Sequence, residues 1–193
     1  MTEAKLDRRA AMAALVANRN NLLVVPGLGS TTWDLAAAGD DPRNFYLWGA
    51  MGGAAMIGLG LALAQPDRPV AVITGDGEML MGLGALATIG AKRPPNLAVI
   101  VFDNGVYGET GMQPSHTSSG VDLVTVAKGA GFPVCLDVTG EAGLKDLAVR
   151  LGHLKETTFA RVAIAPEEAP RVLPERDGVA IKKRFRSALG LDA

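Results

Sequence analysis

Asp76 and Asn104 are the two residues whose types and spacing most directly suggest chemistry. Each closes a short apolar run. Val70-Ala71-Val72-Ile73-Thr74 ends on Gly75-Asp76-Gly77, and Leu97-Ala98-Val99-Ile100-Val101-Phe102 ends on Asp103-Asn104-Gly105. Twenty-seven residues lie between Asp76 and Asn104. A carboxylate and an amide oxygen flanked by glycines suit a hard cation such as Mg²⁺, which can also grip a diphosphate.

Such a site requires elements that bring the two side chains together. Both runs are β-branched and read as strands, and residues 78–92 between them read as a helix. A strand–helix–strand unit makes parallel neighbours, so the two polar tips are expected side by side. They would lie at the carboxyl edge, where open parallel sheets bind ligands. Elsewhere, residues 5–18 have helical spacing, with Leu6, Ala10, Met12 and Leu15 on one apolar face. Residues 22–25 read as a strand, and Ser30 or Thr31 could cap a helix that ends at Gly39. Residues 45–48 read as a short strand, and residues 51–65 as a small-residue helix stopped before Pro66. Helices over 121–129, 141–151 and 179–189, with strands over 133–138 and 159–165, complete the pattern. Six strands alternating with helices predict an α/β fold, a single doubly wound domain with a central parallel sheet of about six strands.

Bulk properties agree. A chain of 193 residues is expected to form one domain with ample core. It is 48% hydrophobic but only 5% aromatic and holds 24 glycines, which suits close helix–strand packing. A formal net charge of -1 gives no reason to expect nucleic acid or an anionic membrane as partner. Cys135 is the single cysteine, so no internal disulfide can form and a cytoplasmic location is expected. Its apolar surroundings favour a buried structural thiol over a nucleophile. Residues 1–9 are charged and lack the apolar stretch of a signal peptide, and the apolar run 49–64 is shorter than a membrane span.

The motifs around Asp76 and Asn104 resemble those of thiamine diphosphate enzymes. Gly75-Asp76-Gly77 followed at this interval by Asn104 is similar to the family's cofactor motif. Trp48-Gly49-Ala50-Met51-Gly52-Gly53 resembles its G-x-M-G segment, with Met51 twenty-five residues before Asp76. Val24-Val25-Pro26-Gly27-Leu28-Gly29-Ser30-Thr31 resembles the glycine loop beside the diphosphate, and Asn104-Gly105-Val106-Tyr107-Gly108 continues the pattern. The likeness runs from Leu22 to Phe132. The segments 44–47, 84–90 and 103–111 most resemble the cofactor half of sulfopyruvate and phosphonopyruvate decarboxylases.

The resemblance implies roles residue by residue. Asp76, Asn104 and the Val106 carbonyl would hold Mg²⁺, and Met51 would keep the cofactor bent. Gly49 and Met51 would bind its aminopyrimidine through their backbone. Gly27, Gly29, Ser30, Gly75, Gly77, Glu78 and Tyr107 complete the expected cofactor-binding set. Glu78 departs from the family, which usually has a small residue there. Its carboxylate must point away from a diphosphate, leaving its backbone N–H to donate. The activating Glu of the family comes from a pyrimidine-binding domain. The whole chain, 1–193, is expected to be the thiamine diphosphate-binding (diphosphate/Mg) domain alone. The pyrimidine-binding domain is then expected on a separate partner subunit, making a heteromer. The implied activity is decarboxylation of a 2-oxoacid, 3-sulfopyruvate or 3-phosphonopyruvate. His116, in the polar loop 113–119, is a candidate substrate contact. Alternatives are an acetolactate-synthase-like carboligase subunit, a 2-oxoacid oxidoreductase subunit, and a non-catalytic cofactor-binding module. The oxidoreductase would call for iron–sulfur cysteines that the sequence lacks.

Other features read blandly. Gly82-Leu83-Gly84-Ala85-Leu86-Ala87 matches a dinucleotide fingerprint, but Gly82 lies eight residues past Thr74 rather than in the turn after the strand. No Gly-Lys-Ser/Thr occurs, which excludes a P-loop. Met56, Met79 and Met81 read as core, and His153 as solvated. Asp103 reads as a turn or supporting residue. Lys182-Lys183-Arg184 with Arg186 reads as a solvated helix face.

Overall fold

The computed structural model describes residues 5–191; residues 1–4 and 192–193 lie outside the described residues, and with them part of the charged N-terminal stretch and both ends of the expected domain. Helix α1 (Arg8–Val16) precedes β1 (Leu23–Pro26), α2 (Ser30–Ala37) and α3 (Ala54–Ala64). Strand β2 (Val70–Gly75) runs directly into α4 (Asp76–Met81), followed by α5 (Gly84–Lys92) and β3 (Leu97–Asp103). A small ribbon, β4 (Val106–Tyr107) with β5 (Gln113–Pro114), interrupts the alternation. Then come α6 (Leu123–Gly129), β6 (Val134–Val138), α7 (Glu141–Leu151), β7 (Thr158–Ala163) and α8 (Gly178–Ala188).

The main sheet is fully parallel with strand order β1-β2-β3-β7-β6. Strands β1 and β3 are buried at every position, as strands covered on both faces must be. Alternate residues feed two cores. Val72, Val99 and Val101 pack with Leu59, Leu86, Ile89 and Leu123 on the α3–α5–α6 face. Ile73, Ala98, Ile100 and Phe102 pack with Met12, Leu15, Leu35 and Leu147 on the α1–α2–α7 face. Each such large aliphatic side chain contributes about 1.5–3 kcal/mol on full burial.

Three expectations need correction. The strand expected over 45–48 is a single bridge from Asn44 to Val24. The Phe45 N–H still bonds the Val24 carbonyl at 2.8 Å, but the chain then leaves the sheet to carry the turn at residues 49–53. Among the described residues the main sheet therefore has five strands, close to the six expected. The helix expected over 78–92 is broken at Gly82. A side chain there would fall 2.2 Å from the Gly52 carbonyl oxygen, so two backbones meet where a continuous helix could not pass. Finally, Met79 is buried, but Met56 and Met81 are 43% and 63% exposed, so they are not core.

Other readings meet the structure with refinements. Cys135 sits on the edge strand β6, half-buried, with burial pushing its thiol pKa up. Lys182 and Lys183 are exposed as expected, but Arg184 reaches back to Asp40 at 2.6 Å and stacks over Tyr46. No helix among the described residues is long and apolar enough to cross a membrane.

At the opposite edge of the sheet from the strand tips, buried Asn96 closes the end of α3. Its Nδ2 donates to the carbonyls of Ala62, Gln65 and Arg68 at 3.1, 2.9 and 2.9 Å. Asn96→Ala leaves those carbonyls short of a donor and is expected to cost about 2 kcal/mol. The check is the urea midpoint at unchanged m-value; a shift within error would show that water replaces the amide freely.

Candidate functional site

The carboxyl ends of β1, β2, β3 and β7 open into a cleft of about 270 Å³. Leu28, Ser30 and Thr31 line it from the β1 side, Gly75 to Glu78 from β2, Phe102 and Asn104 from β3, and Ile164 from β7. Residues 106–110 form a further wall. Register explains the meeting of the two key residues. β2 and β3 pair Gly75 with Phe102, so Asp76 and Asn104 emerge at adjacent strand tips. Asp76, Asn104 and Val106 all line this one cleft.

Asp76 is 2% exposed and opens α4. Its Oδ2 accepts from the Ser115 hydroxyl and from Thr117 Oγ1 at 3.1 Å, the only side chains among those described that bond to it. Burial pushes its pKa up, the Ser115 hydrogen bond pulls it down, and the neighbouring Asp103 charge raises it again. A divalent cation would reverse that balance by its own charge. Asn104 Oδ1 accepts from the Val106 N–H at 3.0 Å, an Asx turn that presents the Val106 backbone and leaves the amide oxygen a second lone pair. Carboxylate, amide and carbonyl oxygens make a hard-cation donor set. Among the described residues no group of three or more His, Cys, Asp or Glu could hold a metal.

The glycine loop leads into α2, whose N-cap is Gly29 and whose first turn has no side-chain cap. The hydroxyls of Thr31 and Thr32 instead bond back to the Gly27 carbonyl at 3.0 and 2.8 Å, which holds the loop. Uncapped N–H groups at a helix start are ready donors to an anion. These donors and the oxygens across the cleft fit a diphosphate bridged to a cation. Ser30 lines the cleft, while Gly27 lies behind the loop, with the Glu78 carboxylate where its side chain would be. Met51 lines the opposite wall, 42% exposed, after Ala50, whose φ of 59° is strained for a residue with a side chain. Gly49 and Gly29 lie beside the cleft without lining it, and Tyr107 lines it.

Several cleft residues escaped sequence reasoning. Arg8, 7% exposed, lines the cleft from α1 and is held by Asp34 at 3.0 Å. Glu109 leans on the glycine loop, its Oε1 accepting from the Ser30 hydroxyl at 3.0 Å. Ser115 and Thr117 orient Asp76, and the one Thr117 hydroxyl proton is shared between Asp76 and Asp103, the latter at 2.8 Å. Asp103 is in turn paired with Arg161, so it is a supporting residue as read. The clustering of hydroxyls in loop 113–119 was the available signal for Ser115 and Thr117; Arg8 gave none. His116 is exposed and does not line the cleft, and its Nδ1 lies 3.4 Å from the hydroxyl of Tyr107, which does. Gly82 and Gly84 stand away from the cleft, as expected if the dinucleotide fingerprint is accidental.

A parallel α/β sheet with this cleft over its strand tips, and an Asp–Asn pair facing an uncapped helix start, defines a class that sequence comparison makes explicit. The chain belongs to the family of thiamine pyrophosphate enzymes, in their C-terminal TPP binding domain, which matches residues 27–159. Within it, the chain is 37% identical over 168 residues to sulfopyruvate decarboxylase subunit beta of Methanocaldococcus jannaschii, covering 86% of this chain and 88% of that one. It is 38% identical over 190 residues to phosphonopyruvate decarboxylase of Streptomyces viridochromogenes, covering 95% of this chain but only 46% of the relative. Benzoylformate decarboxylase from Polynucleobacter necessarius shares the fold at a TM-score of 0.70 and 21% identity, over 86% of this chain and 34% of that one.

Proposed function

We propose that this chain is the cofactor-binding subunit of a thiamine diphosphate- and Mg²⁺-dependent 2-oxoacid decarboxylase. Its preferred substrate is 3-sulfopyruvate, with 3-phosphonopyruvate next, and the products are the aldehyde and CO₂. The observation that carries the reading is a match in length as well as sequence. The sulfopyruvate decarboxylase beta subunit is covered over 88% of its length, whereas phosphonopyruvate decarboxylase is covered over 46%. A chain similar to a subunit is expected to need a second one, here bearing the pyrimidine-binding domain and its activating Glu. A cytoplasmic location is part of this reading, supported by the single cysteine.

The bound cofactor supplies a nucleophilic carbon and an electron sink for the pair released as CO₂ departs. The chain's own residues bind and orient. Asp76, Asn104 and the Val106 carbonyl hold Mg²⁺, with Ser115 and Thr117 fixing the Asp76 rotamer. The N–H groups of the glycine loop and of the α2 first turn, with those of Gly77 and Glu78, take the diphosphate. Met51 supports the bend between the rings, and the backbone of Gly49 and Met51 takes the aminopyrimidine. Arg8 lines the cleft, but its charge is met by Asp34 at 3.0 Å, and loop 113–119 holds no Arg or Lys, so the cation for the substrate's second anionic group is expected from the partner subunit.

The test is competition on the reconstituted complex among sulfopyruvate, phosphonopyruvate and pyruvate. Sulfopyruvate is expected to lead pyruvate in kcat/KM by on the order of 100-fold, the scale of one charge-assisted hydrogen bond to the second anionic group. His116→Ala should erode that preference if the loop selects. Preference for pyruvate would sink the substrate assignment, and an acetolactate product would move the chain to the carboligase alternative.

A further inference from the structure

We propose that Glu78 is a positioning residue that ties the three cofactor-binding segments into one unit, so that the diphosphate and pyrimidine ends of the cleft form together. The inference rests on the cofactor reading above and adds a residue that acts through others. Glu78 is 4% exposed. Its Oε2 accepts from the Leu28 N–H at 3.0 Å and from Thr74 Oγ1 at 2.8 Å, and its Oε1 from the Gly52 N–H at 3.3 Å.

Those donors come from three places. Leu28 belongs to the glycine loop after β1, fifty residues away in sequence. Gly52 belongs to the turn that carries Met51 and leads into α3. Thr74 and Glu78 flank Asp76 at the β2–α4 corner. Among the described residues no other side chain hydrogen-bonds to more than one of these segments. The loop passes so close over the carboxylate that a Cβ on Gly27 would fall 1.9 Å from Oε2 and 2.8 Å from Thr74 Oγ1. Glycine at 27 and glutamate at 78 are thus two halves of one fit. A buried carboxyl group is costly unless its oxygens are satisfied, and here both accept from fixed donors. Glutamine would turn an NH₂ toward a backbone N–H and lose at least one of these bonds.

The experiment uses the full chain and two fragments of the cofactor, inorganic pyrophosphate with Mg²⁺ and thiamine, titrated by calorimetry. Neither fragment spans both ends of the cleft. Glu78→Gln is expected to weaken both by about tenfold, the effect of one lost charge-assisted hydrogen bond. Asn96→Ala, which lowers stability from outside the cleft, should leave both affinities unchanged, separating positioning from general destabilisation. Hydrogen exchange on the unaltered chain gives an independent readout: the Leu28 and Gly52 amides should be protected to the same degree. Equal binding by the native chain and Glu78→Gln, or weakening of one fragment only, overturns the proposal. So does exchange of both amides at open-loop rates, which decides the matter even if Glu78→Gln does not fold. Failure of the native chain to bind either fragment would instead overturn the cofactor reading, while the exchange data still judge Glu78.

Discussion

Asp76→Ala is expected to weaken thiamine diphosphate binding by about 100-fold or more, since losing a metal ligand exceeds the 10–100-fold typical of supporting residues. The fold should survive. Asp76 is a desolvated carboxylate whose pKa burial pushes up, so its removal relieves a cost in the metal-free chain. The hydroxyls it leaves behind keep other partners: Ser115 and Thr117 lie 2.8 Å apart, and Thr117 also bonds Asp103. Calorimetry with and without Mg²⁺ reads the effect. The native chain should need the cation, and Asp76→Ala should bind weakly whether or not it is present. Unchanged affinity in the variant would sink the metal assignment.

The second large effect concerns the partner. The purified chain alone is expected to turn over its 2-oxoacid at least about 100-fold more slowly than the reconstituted heteromer, the lower bound for a missing general acid or base. Each carboxylate in the cleft is already engaged. Asp34 is held by Arg8 and Arg9, and Asp76 by Ser115 and Thr117. Glu78 is bound by backbone, and Glu109 by Ser30 with Arg171 at 3.7 Å. None is left to activate a cofactor. The surface beside Met51 is also apolar: Met51, Met56, Leu63 and Met81 are each more than 40% exposed. Met56 and Leu63 are seven residues apart on α3 and so share a face. Such a surface suits a partner subunit covering the turn at 48–56. Turnover by rigorously isolated chain at the rate of the complex would refute the two-subunit reading.

Much of this was legible from residue order. The apolar runs 70–74 and 97–102 are strands β2 and β3, and their parallel pairing puts Asp76 and Asn104 together because a strand–helix–strand unit has essentially one outcome. The amphipathic segment 141–151 is helix α7 over the same residues, since its period and its leucines agree. The cap expected of Ser30 or Thr31 is Gly29 instead, but the glycines flanking Asp76 and the polar turn after β3 marked the cleft. These features are local: each is written in the spacing of neighbouring residues.

What the tertiary structure alone decided involves contacts between distant segments. The break at Gly82 depends on the Gly52 backbone, thirty residues earlier, and nothing in the helical period of 78–92 announces it. The strand pattern at 45–48 lost to the need to carry Ala50 and Met51 to the cleft. Met56 and Met81 have core chemistry but face outward, because burial is set by what lies opposite. The sequence required only that the Glu78 carboxylate avoid a diphosphate; the fold gave it three donors from three segments. Arg8 reaches the cleft because Leu6, just before it, pairs with Ile164 past the end of β7 and so starts α1 beside the strand tips. Periodicity reports which face of an element is apolar, but it carries no information about which polar group from another element will meet it. That pairing is fixed only when the chain closes its long loops.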